Sequence, residues 1–250
     1  RAAEEKAAAE EAERRAAEEK AAAEEAARKK RLHRKIFLSI SIPLFALAAI
    51  FAVVLITYLI PQSRYDSAAA MLEGGRYDEA IEAFAELGRY SDSTARITEA
   101  EYGKAAQLLE NGKYDEAIAA FEALGDYSDS KEQITEAEYR KALKTLDSGA
   151  YNEALKQLEP LEDYKDAKEK IELCYFGLGM KAVEADDVEA AAENYAHVNA
   201  DHAVEMQKAF CEKGIAAYNA GDEAHAQEYF DLVTEKDLLP EIDAAYYARG

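Results

Sequence analysis

Residues 65–101 and 102–138 are each 37 residues long and align without a gap at 24 identical positions. Self-similarity at that period means a small unit that cannot bury its apolar face alone and must stack on copies of itself. A third copy starts at Tyr139, and two degenerate copies start near Phe176 and Cys211. The units therefore lie near 65–101, 102–138, 139–175, 176–210 and 211–250. A pattern GxYxxAxxxFxxL recurs in them: Gly75, Tyr77, Ala80, Phe84, Leu87, then Gly112, Tyr114, Ala117, Phe121, Leu124. The third copy keeps Gly149, Tyr151, Ala154, Leu158 and Leu161. The last two weaken it to Asp186, Val188, Ala191, Tyr195, Val198 and to Gly221, Glu223, Ala226, Phe230, Val233. Only 4 Pro and 12 Gly in 250 residues favour helices over strands.

This pattern resembles the second half of the tetratricopeptide repeat, in which Gly opens the turn between two helices, the small residue lets them approach and the aromatic fills the core. The resemblance covers roughly residues 61–238 and implies an all-α fold, an α-solenoid of five helical hairpins. The unit departs from the family in its length of 37 residues and in lacking the family's Trp and closing Pro. An LGxYxDS segment joins the units instead. There, after Leu87 and Leu124, Gly88 and Gly125 are placed to end a helix in a left-handed cap, with Tyr90, Tyr127 and Tyr164 packing the corner. Asp92, Asp129 and Asp166 read as N-caps of the next helix, with Glu132 and Glu169 completing capping boxes. The first helix of the third hairpin is predicted to run from Ser130 to Asp147. Bacterial membrane proteins with a cytoplasmic zinc ribbon, one span and Tyr-Asp-Ser repeats look similar, although this stretch carries no zinc ribbon.

Ile36 to Ile60 contains 25 residues and no charge, enough to cross a hydrocarbon core of about 30 Å as one transmembrane helix. It is too long for the apolar core of a signal peptide and lacks the polar face of a soluble helix. Pro43 falls where lipid tolerates a kink, and Pro61 marks the exit. Arg28, Lys29, Lys30, Arg31, Arg34 and Lys35 crowd the N-terminal flank, with His33 among them, whereas Arg64 is the one nearby cation on the other side. The positive-inside rule then places the N-terminus in the cytoplasm and residues 65–250 outside it.

Residues 1–30 repeat with a 14-residue period and consist of strong helix formers. A stiff solvated helix about 45 Å long is predicted for them. A period of two heptads also suits an Ala-seamed coiled coil, so spacer and dimeriser both stand. Because the sequence opens on Arg1 rather than Met, it reads as a piece of a longer chain whose function can lie upstream.

The segment 1–35 has 11 basic and 9 acidic residues, so the total charge of −21 leaves −23 for the rest. Such a field repels nucleic acid and attracts basic peptides, or simply keeps the surface solvated. Tyr65, Tyr102, Tyr139 and Phe176 occupy one equivalent point of the first helix, which in the tetratricopeptide family tends to face the concave groove. Glu73, Glu110, Asp147 and Glu184 follow eight residues later. An aromatic and an acidic ladder along one surface suits a protein or basic-peptide partner through cation–π contact and charge pairing. The competing reading makes these aromatics inter-repeat core.

Motifs for catalysis, cofactor binding and metal ligation are missing, which points away from an enzyme. His197, His202 and His225 lie in the degenerate copies and read as surface polar residues. Cys174 and Cys211 sit at nearly matching points of neighbouring units, about 10 Å apart on stacked helices, which favours packing over a disulfide. The sequence thus predicts a non-enzymatic, membrane-anchored scaffold that binds a protein, or else a spacer that oligomerises in the envelope through its N-terminal helix or span.

Overall fold

The structure, a computed structural model, describes residues 2–249. Those residues form no strand, so the architecture is a row of helices. The first is α1, Ala2–Val54, followed by a π-helical turn at Leu55–Leu59 and by α2, Ile60–Glu73. These three pieces form a continuous rod about 110 Å long at 1.5 Å per residue. The helix therefore passes through Pro61 instead of ending there. Pro61 has no N–H to give, and its ring would strike the carbonyl four residues back. The widened π turn immediately before it absorbs that conflict: Ile60 N–H donates to Leu55 O, five residues back.

Helices α2 and α3 (Tyr77–Leu87) make the first hairpin, and α4 (Ser93–Glu110) with α5 (Tyr114–Leu124) the second. Helices α6 (Ser130–Asp147) and α7 (Tyr151–Leu158) make the third, α8 (Ala167–Ala185) and α9 (Val188–Tyr195) the fourth, α10 (Ala200–Ala220) and α11 (Glu223–Phe230) the fifth. Each hairpin packs on the next, giving the all-α solenoid. Helix α12, Leu239–Arg249, folds back on α10 and covers its end, with Tyr246 meeting Tyr218 at 4.7 Å.

The repeat pattern explains the packing. Ala80, Ala117, Ala154, Ala191 and Ala226 are all fully buried, where a larger side chain would force the two helices apart. Phe84, Phe121 and Leu158 fill the space they leave. The turn into the second helix demands a positive φ in every copy: 71° at Gly75 and Gly112, 74° at Gly149, 64° at Asp186 and 97° at Gly221. Asp186 serves where glycine is absent because a short polar side chain tolerates the left-handed region better than most. Cys174 and Cys211 are free, buried, and stand where Ala100 and Ala137 stand in earlier copies.

The joints between hairpins differ from expectation in two respects. Gly88 and Gly125 do have positive φ, 59° and 60°, but ψ of −114° and −118° removes them from the left-handed helical region. They are the first central residues of tight turns closed by Tyr90 N–H to Leu87 O and by Tyr127 N–H to Leu124 O. The third joint has Glu162 there, which stays right-handed at φ −55°, and the helix end tightens into the 3₁₀ turn Glu159–Leu161. Asp92, Asp129 and Asp166 do precede their helices, yet their carboxylates cap nothing, and no side-chain cap bond forms with Glu132 or Glu169 in place. Those carboxylates accept instead from tyrosine hydroxyls of the preceding hairpin.

Candidate protein-binding groove

The two ladders separate once the chain is folded. Tyr65, Tyr102 and Tyr139 sit inside the joints. Their hydroxyls donate to Asp92, Asp129 and Asp166 respectively, each 27 residues on. Tyr65 meets Phe84 edge-on at 5.5 Å and Tyr90 at 6.1 Å, and Tyr102 meets Phe121 at 5.5 Å and Tyr127 at 5.8 Å. Tyr139 is only 5% exposed. The Asp129 bond pushes the Tyr102 phenol up to about 12, and the Tyr102 hydroxyl in turn holds the Asp129 carboxyl below its ordinary range. Burial, then Asp166, raises Tyr139 in the same direction. These three rings are therefore fixed by packing and hydrogen bonds rather than displayed along an open face.

Phe176 has no hydroxyl to tie its joint, and it packs against His202 at 4.8 Å and against the core of the last two hairpins. It lines a groove of about 600 Å³ between α6 and α8. Leu143, Leu173, Phe176 and Met180 form an apolar floor, and Asp147 and Glu184 stand at the rim. Three of the eight candidate residues thus come together in one place. Gly177 makes the groove possible: its helix lies so close to Tyr151 that a Cβ there would fall 2.4 Å from the ring.

The acidic ladder is uneven. Glu110 is paired with Arg140 at 2.9 Å, and that arginine also bonds Glu136 at 2.8 Å. Burial alone would raise Glu136, but Lys165, Arg140 and Tyr164 together hold it below its ordinary value. Glu73, Asp147 and Glu184 are exposed and make no hydrogen bond or ion pair among the described residues. The two cations of the groove are otherwise engaged. Lys181 Nζ donates to Gly149 O at 2.7 Å and lies 4.6 Å from the centre of the Tyr151 ring, and Lys170 pairs with Asp166 at 3.1 Å. The groove consequently offers an apolar surface edged by two carboxylates without an ion-pair partner, Asp147 and Glu184, against the one positive charge that Lys181 retains, which suits an apolar side chain carried next to a cationic one.

Two of the three histidines do structural work that sequence reading missed, whereas His197 is exposed as expected. His202 Nδ1 lies 3.1 Å from Glu172 Oε1, and the same carboxylate accepts from Asn199. His225 is held between Asp186 and Glu228, each at 3.2 Å, and Asp186 first, then Glu228, raises its pKa. Asn199, Asp187 and Asp222 cap their helices with their own side chains. Those caps were legible as polar residues before apolar runs; the histidine contacts, 30 and 39 residues apart, were not. No group of three or more His, Cys, Asp or Glu suited to a metal ion occurs among the described residues.

At the N-terminal end, Arg28, Lys29, Lys30, Arg31, Arg34 and Lys35 are all exposed at the end of the charged segment of α1. The apolar stretch beyond them is long enough to cross a membrane and buries none of its surface within the protein; Phe37 is 69% and Phe45 75% exposed.

No family model matches this chain, and no curated protein is similar to it. Among solved structures, one titled "MamA RS-1 ArsTM double mutant" aligns with 74% of this chain and 97% of its own, at 21% identity and a TM-score of 0.25. A superposition that loose adds nothing to the fold, which stands on the helices described above.

Proposed function

We propose that this chain is a non-catalytic, membrane-anchored scaffold whose tetratricopeptide-like solenoid holds a protein partner in the groove between α6 and α8. The observation that carries this reading is the groove itself: an apolar floor to which Phe176 contributes, edged by Asp147 and Glu184, two carboxylates without an ion-pair partner. Buried contact with the floor supplies affinity, and the rim selects for positive charge and speeds encounter. Tyr65, Tyr102 and Tyr139 contribute by fixing the angle between hairpins, and Glu73 extends the acidic field at the first hairpin's turn, whereas Glu110 is paired with Arg140.

The anchoring part of the proposal is that residues 36–60 cross a bilayer once, with the basic collar in the cytoplasm and the solenoid outside it. Apolar side chains exposed all around a helix need a medium other than water. A continuous helix from the collar into α2 then makes the first hairpin an extension of the span. The unbroken, solvent-exposed charged helix supports a second role as a spacer or oligomerising stalk in an envelope assembly.

Two measurements test this. Protease added to intact cells is expected to remove the solenoid and spare the segment before residue 36; complete protection of the solenoid overturns the topology. Crosslinking from a photoreactive residue replacing Lys181, an exposed residue that lines the groove, is expected to trap a protein partner. Replacing Met180 with Asp should abolish that adduct while circular dichroism stays helical, and an unchanged adduct removes the groove from the reading.

A further inference from the structure

Two grooves of the solenoid are built from equivalent positions 37 residues apart, and they differ in what fills them. Between α4 and α6, Arg140 reaches from α6 to Glu110 on α4 and also bonds Glu136 on its own helix. Counting 37 residues on from Glu110, Arg140 and Glu136 gives Asp147, Gly177 and Leu173. All three line the groove between α6 and α8. The acceptor of the first groove persists in the second as Asp147. The arginine is gone, and the second carboxylate has become an aliphatic side chain. Glu184 adds another unpaired acid at the rim; Lys170 is paired with Asp166, and Lys181, though still charged, is held by hydrogen bonding on Gly149 O and against the Tyr151 ring, away from both acids.

We infer that the occupant of the α6–α8 groove is a protein segment presenting an arginine beside a large aliphatic residue, and that this arginine does from the partner what Arg140 does from within the chain. The inference rests on the proposed scaffold reading of the same groove. The incoming guanidinium pairs with Asp147, Glu184 adds to the negative field at the rim, and the aliphatic neighbour rests on Leu173, Phe176 and Met180. Arginine fits better than lysine for two reasons. Its planar fork engages two carboxylate oxygens at once, and its weaker hydration lowers the cost of leaving water at an apolar floor. Leu173, standing where Glu136 stands in the first groove, exchanges a second ion pair for hydrophobic contact, so the aliphatic neighbour is required and not incidental.

The test uses the whole chain in lipid nanodiscs and a short fluorescein-labelled Gly/Ser/Gln peptide carrying one Leu-Arg pair, read by fluorescence anisotropy. Matched peptides replace the arginine with citrulline, its neutral isostere, or the leucine with alanine. The Leu-Arg peptide is expected to bind at least about tenfold tighter than either control. Asp147→Asn with Glu184→Gln, both on exposed side chains, should erase the arginine-to-citrulline difference while leaving the leucine-to-alanine difference. The pair Leu173→Glu and Gly177→Arg, which rebuilds the first groove, should abolish binding. A side chain at position 177 meets Tyr151, so if that pair misfolds the rim variants alone decide between the outcomes. Equal affinity for the Leu-Arg and citrulline peptides, unchanged in the rim variants, overturns the arginine assignment and leaves the groove standing. Failure of every peptide to bind, with no protection of α6 or α8 from hydrogen exchange, overturns the groove reading as well.

Discussion

The first three hairpins and the last two reach the same architecture by different local chemistry. From α2 to α7, each joint is tied by a tyrosine hydroxyl donating to the aspartate that precedes the next first helix, and the buried residues fall into one small cluster per hairpin. From α8 onward, Asp187, Asn199 and Asp222 cap their own helices, while Glu172 ties the joint before α10 and His225 ties the fifth hairpin to the turn of the fourth. The apolar residues there merge into one core running from Ala182 to Ile242. A repeat can thus drift in its joint chemistry as long as the small residue and the turn survive. Coupling between neighbours stays local in the first region and becomes collective in the second.

The largest expected effect tests that contrast. Phe121 is fully buried in a cluster confined to the second hairpin and the start of the third. Phe121→Ala should cost about 3–5 kcal/mol, and hydrogen exchange should show α4 to α6 losing protection while α10 to α12 keep theirs. Uniform loss throughout would mean that the two regions unfold as one.

Next in size are the helical glycines against which aromatics pack. An exposed Gly→Ala change in a helix normally stabilises by up to about 1 kcal/mol. At Gly103 a Cβ would fall 2.3 Å from the Tyr77 ring, and at Gly214 it would fall 2.4 Å from Phe230. Both substitutions should therefore destabilise, by about 1–3 kcal/mol in chemical denaturation. A gain in stability at either site would mean that the ring moves aside freely.

The aspartates before helices sharpen the comparison further. Asp187→Ala should cost about 1 kcal/mol through its lost cap, with no dependence on any tyrosine. Asp129→Ala should behave differently: its effect should be strongly non-additive with Tyr102→Phe in a double-mutant cycle, because the two remove one hydrogen bond. Additivity there would return Asp129 to an ordinary capping role.

The smallest effect concerns pH, and its sign differs between the regions. The folded His225 pKa is raised, first by Asp186. Its contribution is thus fully present below its unfolded value of about 6.5 and is lost as pH rises through the folded pKa. Asp129 is lowered, first by Tyr102, so its contribution is present above its unfolded value of about 3.9 and is lost as pH falls through the folded pKa. Melting temperature followed from pH 5 to 8 should accordingly decline for the native chain and flatten in His225→Gln. An identical slope in both proteins would remove His225 from the account.

Much of this was readable from residue order. The all-α solenoid followed from the repeat, and the bounds Ser130 to Asp147 for α6 followed from the joint and turn that flank it. The small positions and turn positions of all five copies were also legible, including Asp186 in the place of glycine. These features are local: a φ above zero or a buried methyl is demanded by a few neighbouring residues, and periodicity exposes them. Other features were decided only by the packing of one hairpin on the next. Asp129 looks like a cap in sequence and becomes a tyrosine's acceptor, since the hydroxyl arrives from 27 residues away. The aromatic ladder divides for the same reason: three tyrosines are tied into joints by their hydroxyls, while Phe176 packs on His202 and also faces a groove. Gly177 and Leu173, in the places of Arg140 and Glu136, are merely degenerate repeat positions until α6 and α8 are laid side by side. What periodicity determined was the shape of each unit. Which side chains remain unpaired between units depended on contacts made across tens of residues, and only the tertiary structure brings those together.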